Sequence, residues 1–150
     1  MPLPMNTPFP APAPAASPET TAFWEATANG VMLLPRCDAC DSITWYPRGF
    51  CAECGSLKLT WIPASGRGTV YAFTVHRLGQ EPAAYRGASP YVVAYVELAE
   101  GPRVLTNIVE CDPNAVRVGQ QVELVFHATG SGPALYRFRP ATAAGDASLP

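Results

Sequence analysis

The sequence predicts a mainly β fold in which a short helix and a small four-cysteine metal module precede a five-stranded barrel, and three observations support it. Two Cys-x-x-Cys pairs, Cys37/Cys40 and Cys51/Cys54, stand ten residues apart. From Gly66 onward, runs of β-branched and aromatic residues recur between turn-forming Gly, Pro and Asn. Ahead of the cysteines, Ser17-Pro18-Glu19-Thr20 followed by Phe23-Trp24 reads as a helix start, with Pro in the first turn and Glu19 near the positive end of the dipole.

In chain order, the helix should present Phe23, Trp24, Ala26 and Ala28 on one side and stop at Asn29-Gly30. Val31 to Pro35 leads into the first cysteine pair. Ile43 to Phe50 should then form a compact hairpin with Trp45 at its tip, and Leu57 to Ile62 should leave the second pair extended. The barrel strands are expected over 68–77, 90–98, 104–109, 121–126 and 134–138. Ala99-Glu100-Gly101-Pro102 turns the second into the third, and Asp112 to Val116 forms a short capped helical turn after the third. Five strands with a helical turn after the third is the order of an OB-fold barrel; a small β-sandwich is the competing arrangement. Gly66-Arg67-Gly68 lacks the third glycine and following helix of a phosphate loop, and reads instead as the bend from module to barrel.

The cysteines carry the chemistry. A tetrahedral zinc ion takes thiolate ligands at about 2.3 Å, and Cys-x-x-Cys lets one tight turn present two of them. A thioredoxin-type redox site is a single pair at a helix start, whereas here the pairs are doubled among Pro, Gly and β-formers. Cys37, Cys40, Cys51 and Cys54 are therefore expected to hold one structural Zn2+, with disulfides and iron as the alternatives. A closed shell of four cysteines leaves no open position for water or substrate, so the metal should supply folding free energy rather than catalysis. Cys111 ends an apolar run and reads as a small buried or half-buried residue.

Composition bounds the rest. The 150 residues suffice for one ordinary domain plus a small module, and 48% hydrophobic against 15% charged residues is globular. A net charge of −2, with Lys58 as the one lysine among ten basic residues, leaves no electrostatic footprint for nucleic acid. Residues 1–18 are rich in Pro and Ala and carry no charge, lacking both the basic start of a secretory leader and the unbroken apolar run of a membrane helix. The expected organisation is a disordered or polyproline-like linker at 1–18, helix plus ribbon at 19–63, barrel at 64–140 and a flexible tail at 141–150. Free thiols at metal-ligand spacing point to a reducing cytoplasm. His76 and His127, the two histidines, have no ligand-spaced neighbours and are read as satisfied or exposed rather than catalytic.

Phe23-Trp24-Glu25 before the ribbon, Tyr46-Pro47-Arg48 inside it, Gly66-Arg67-Gly68-Thr69-Val70, Phe73-Thr74-Val75, Pro90-Tyr91-Val92-Val93-Ala94 with Glu97-Leu98, and Val118-Gly119 resemble, in this order, the acyl-CoA-associated zinc-ribbon plus OB-fold family. The resemblance runs from about Phe23 to Pro140, and implies a rubredoxin-like ribbon followed by an OB-fold. It further implies an accessory subunit, not an enzyme on its own, of thiolase-type lyase, aldolase or acyltransferase complexes. Such a subunit helps to form the acyl-CoA site of a thiolase-superfamily partner within a hetero-oligomer, including in lipid and steroid side-chain degradation. Under that reading, Trp45, Arg48, Arg67 and Tyr91 are the candidates for coenzyme A binding or the partner interface, with Arg36 beside them. The aromatic-rich set from Trp45 to Tyr95 also suits a single-stranded nucleic-acid-binding OB-fold, the alternative function, though no basic stripe accompanies it.

Overall fold

The computed structural model describes residues 9–77 and 81–142. Eight elements of regular structure follow: α1 (Thr21–Thr27), β1 (Leu33–Cys37), β2 (Leu59–Pro63), β3 (Arg67–His76), β4 (Tyr91–Leu98), β5 (Arg103–Ile108), β6 (Gln121–Ala128) and β7 (Ala134–Pro140). Strands β1 and β2 pair antiparallel as a ribbon, Leu33 opposite Pro63 and Cys37 opposite Leu59. The other five close into a barrel in the order β3-β4-β5-β7-β6, with β6 returning to β3. The one parallel contact, between β5 and β7 at Ile108 and Phe138, closes the circuit. This is the five-stranded OB-fold, with the turn Pro113–Ala115 after the third barrel strand and Asp112 Oδ1 accepting from Asn114 N at 2.9 Å.

Period-two alternation builds the core. In β4, Val92, Ala94, Val96 and Leu98 point inward; in β5, Val104, Thr106 and Ile108 do the same, joined by Val70, Val122 and Phe138. Two local devices shape β3. A bulge at Tyr71 shifts the register against β4 between Val70 and Ala72. At Gly68, a Cβ would lie 2.4 Å from Val96 Cγ1 and 3.1 Å from Glu97 O, so only glycine lets β3 cross β4 this closely.

Three expectations need correction. The helix is shorter than read: Glu19 precedes it, and its buried stripe is Phe23, Trp24 and Thr27 rather than Ala26 and Ala28. The span between the cysteine pairs forms no hairpin. Its one bridge joins Ile43 back to Arg36, because β1 has already found its long partner in β2 beyond the second pair. Trp45 is accordingly at no tip, but half-buried against Phe23 and Tyr136. Of the linker and tail expectations, residues 1–8 and 143–150 lie outside the described residues. Residues 9–17 form neither helix nor strand, yet Phe9 and Pro10 lie against the barrel.

The helix, ribbon and barrel meet at an aromatic cluster. Tyr136 of β7 packs against Trp24 at 6.0 Å, Phe23 at 5.7 Å and Trp45 at 5.7 Å between ring centroids. Polar ties support the junction: Ala134 N donates to Thr27 Oγ1 at 3.1 Å, and Ala64 N to Met32 O at 2.8 Å. Burial pushes the Tyr136 hydroxyl well above its ordinary pKa, so it stays protonated.

Candidate functional site

The two cysteine turns are near copies of each other. In each, the backbone N–H four residues after the first cysteine donates to that cysteine's carbonyl: Asp41 N to Cys37 O and Gly55 N to Cys51 O, both 2.9 Å. In each, the first cysteine's own N–H donates to a serine carbonyl five residues on, Cys37 N to Ser42 O at 2.9 Å and Cys51 N to Ser56 O at 2.8 Å. The closing residue has positive φ in both, 62° at Asp41 and 77° at Gly55, a conformation that Asp tolerates and Gly favours. The repeated Asp-Ser and Gly-Ser after the two pairs was the sequence signal for this turn, and composition and spacing alone passed over it.

The four sulfurs converge within 4.8 Å of one another. Cys37 Sγ lies 3.6 Å from Cys54 Sγ and Cys40 Sγ lies 3.7 Å from Cys51 Sγ, far beyond disulfide length. Ligands at about 2.3 Å in a tetrahedron stand about 3.8 Å apart, so the set fits one zinc ion. The first cysteine of each pair is buried and the second exposed, which places the site at the surface with its inner ligands fixed by the backbone.

Without metal, four neighbouring thiols cannot all ionise. Ser42, through its hydroxyl and backbone, pulls the Cys40 thiol down to about 6. The Ser56 backbone favours the Cys54 thiolate, yet the sulfurs of Cys37 and Cys40 outweigh it and push that thiol up to about 12. A bound cation reverses this opposition and holds all four as thiolates, so binding releases protons. Cys111 stands apart, half-buried, its thiol raised by burial and by Asp112, which makes it a poor nucleophile.

The remaining candidates are not brought together. Arg67 opens β3 and lines a cleft of about 470 Å³ with Gln121, Glu123 and Thr142, whereas Tyr91 pairs with His76 at the opposite end of the β3–β4 hairpin. Arg48 is exposed in the loop between the cysteine pairs, and Trp45 faces inward. Two members of the aromatic-rich set join a residue unremarked from sequence in a second feature: Tyr71, Tyr95 and, newly, Leu105 are each about half exposed, at 49%, 49% and 52%, on the outer face of β3, β4 and β5. Leu105 lies opposite Tyr95, and the Arg103 guanidinium covers the Tyr71 ring at 3.6 Å. An outward-facing leucine between inward-facing Val104 and Thr106 was the available signal. Among the described residues, no helix is long and apolar enough to cross a membrane.

Residues 24–60 match the family model of the ChsH2 rubredoxin-like zinc ribbon domain, and residues 61–127 that of the ChsH2 C-terminal OB-fold domain. The chain is 37% identical over 110 residues to a DUF35 domain-containing scaffold protein of Methanothermobacter thermautotrophicus, covering 72% of this chain and 81% of that protein. It is 35% identical over 130 residues to a probable enoyl-CoA hydratase alpha subunit of Thermomonospora curvata, covering 87% of this chain but only 40% of that longer protein. Identity to the benzoylsuccinyl-CoA thiolase subunit BbsA of Geobacter metallireducens is 34% over 91 residues, 61% of this chain and 58% of that one. Among solved structures, a chain of the Ltp2-ChsH2(DUF35) aldolase superposes with a TM-score of 0.77 at 34% identity, covering 87% of this chain and all of that one. The converging thiols are thus the ligand set of a zinc ribbon holding one structural zinc.

Proposed function

The chain belongs to the ChsH2-type zinc-ribbon plus OB-fold family, and from that membership we propose that it is a non-catalytic accessory subunit of a thiolase-superfamily enzyme acting on acyl-CoA esters. The observation that carries this reading is the match over the whole length of a chain from an aldolase assembly. A relative that is itself a thiolase subunit agrees with it. The chemistry belongs to the partner: the four thiolates are spent on a closed metal shell, and the zinc fixes the ribbon. The complex works in the cytoplasm, in lipid or steroid side-chain degradation by carbon–carbon bond cleavage.

The exposed Tyr71, Tyr95 and Leu105 supply the apolar and aromatic side chains that interfaces favour at their centre, with Arg103 on their rim. Arg67, at its cleft, and the exposed Arg48 are the candidate contacts to coenzyme A phosphates. Trp45 acts indirectly, by holding the ribbon against the barrel. Tyr91, packed under Phe9, becomes available to a ligand or partner only where that contact opens.

Co-expression with a thiolase-superfamily protein encoded beside this chain tests the reading. A heteromeric complex with acyl-CoA turnover that neither protein gives alone is expected, and Leu105→Arg should lose the complex while retaining zinc. Independent migration of the two proteins with unchanged turnover would overturn it.

A further inference from the structure

Among the described residues, Arg137 is the one buried charged side chain, 1% exposed, and no ion pair compensates it. Arg137 lies between Tyr136 and Phe138 in β7, where strand alternation turns it away from the barrel interior. An outward-facing arginine normally keeps its charged head in water. Here it is covered from outside: Phe9 lies over the guanidinium, ring centroid to Cζ 4.4 Å, and Nη2 donates to the Pro10 carbonyl. Its other hydrogen bond runs from Nη1 to His127 Nδ1 at 2.7 Å, which requires a neutral imidazole.

The Phe9 ring sits in a cage built by the barrel. Tyr85 and Tyr91 stand 5.7 and 5.6 Å from it, 5.8 Å from each other, and His76 stacks behind Tyr91 at 4.9 Å. The loop carrying Tyr85 is fixed by Glu81, whose carboxylate accepts from Gly87 N at 2.7 Å and from the Ser89 hydroxyl. The cage adjoins a cleft of about 310 Å³ lined by Pro82, Val93, Leu105 and Asn107, which shares Tyr85 and Tyr91 with it. Two adjacent residues are therefore read together, the Phe9 π surface by the cation and the tyrosines, and the Pro10 carbonyl by the guanidinium. The proline after Phe9 suits the role, since the ring of Pro10 fixes its own φ and so lowers the entropy lost on docking.

We propose that the Arg137–Tyr85–Tyr91 cage is a recognition site for an aromatic residue followed by proline, filled in cis by this chain's own Phe9-Pro10 and able to take the same element in trans. The segment acts as a latch on the outside of the barrel, across Tyr91 of β4 and Arg137 of β7. Anything that docks on the cleft beside Tyr91 competes with it, and the proposal does not depend on which enzyme the subunit accompanies.

The test uses the full chain, with Phe9→Ala opening the latch, and a fluorescein-tagged peptide of residues 5–14 followed by anisotropy. A tether holds the cis segment at an effective concentration on the order of millimolar, so a peptide of roughly 100 μM intrinsic affinity should bind Phe9→Ala about tenfold more tightly than the parent chain. The doubly substituted Phe9→Ala/Arg137→Met protein should lose that binding, with fold checked by zinc content. Should Arg137→Met not fold, Tyr85→Ala, which lies outside the barrel strands, replaces it and should weaken the peptide likewise. Equal binding to parent and Phe9→Ala chains, no binding to either, or binding indifferent to the cage substitutions would overturn the proposal.

Discussion

The ribbon and the barrel are held together by different physics within one short chain. The barrel closes on itself and buries side chains from every strand, so its stability is that of an ordinary hydrophobic core. The ribbon has two five-residue strands, and its fully buried apolar side chains are few, chiefly Met32 and Leu34 beside the inner ligands Cys37 and Cys51. Such a segment cannot offset its own chain entropy, and thiolate–metal bonds replace the missing core. Metal loss should therefore be a local event in this molecule, and loss of packing a global one.

Removing a metal ligand separates the two regions most sharply. Structural zinc contributes about 10–16 kcal/mol to small zinc-binding peptides at neutral pH. Cys51→Ser should abolish zinc by elemental analysis and remove hydrogen-exchange protection across β1 and β2, while β4 and β5 keep theirs. Equal loss in both regions would show that the ribbon is part of the barrel's cooperative unit. Next in size is Phe138→Ala, at a fully buried position in the barrel, which should cost about 3–5 kcal/mol in chemical denaturation and leave the zinc content of the folded fraction unchanged.

Both regions were legible in the sequence to the extent that their signals are local. The cysteine pairs name their own ligand set because the metal needs two thiolates from each tight turn, and the barrel strands announce themselves through alternation, as β4 does in Val92, Ala94 and Val96. What stayed hidden depends on pairing across distance. Nothing near Ile43 tells the chain between the cysteine pairs that β1 will be taken by β2, more than twenty residues on, and so a hairpin was the natural local guess. Arg137 is harder still: the strand pattern sends it outward, and it is Phe9 and Pro10, the latter 127 residues earlier, that cover it.

Smaller substitutions refine the boundary. Gly68→Ala places a methyl against Val96, a stiff side chain with no exposure, and against the Glu97 carbonyl; it should cost about 1–3 kcal/mol and act on the barrel alone. Trp45→Ala instead removes the ribbon's contribution to the aromatic cluster around Tyr136 and should cost about 1–2 kcal/mol, its side chain being only partly buried. Its signature is a change in coupling. With Trp45 gone, chelation of zinc should shift the barrel's melting temperature less than it does in the parent chain, and an undiminished shift would place the coupling elsewhere, at Thr27 and Ala134 or at Met32 and Ala64.

The smallest effect distinguishes the regions by pH. Burial first, and the neighbouring Arg137 cation second, hold the His127 imidazole below its ordinary pKa of 6.5, with Glu110 pulling weakly the other way. The unfolded chain therefore binds this proton more readily than the folded one, so the contribution of neutral His127 is fully present above 6.5 and is lost as pH falls from there through the folded value. The ribbon also weakens in acid, because its thiolates take up protons, but it does so with release of zinc. Melting curves of the parent chain and His127→Gln, taken from about pH 7.5 to about 5.5 with a colorimetric zinc indicator present, separate the two causes. Over the range in which no zinc is released, the parent should lose more stability on acidification than His127→Gln. Parallel curves would mean that Arg137 does not depend on a neutral imidazole, and that the barrel's outer face is held by Phe9 and the tyrosines alone.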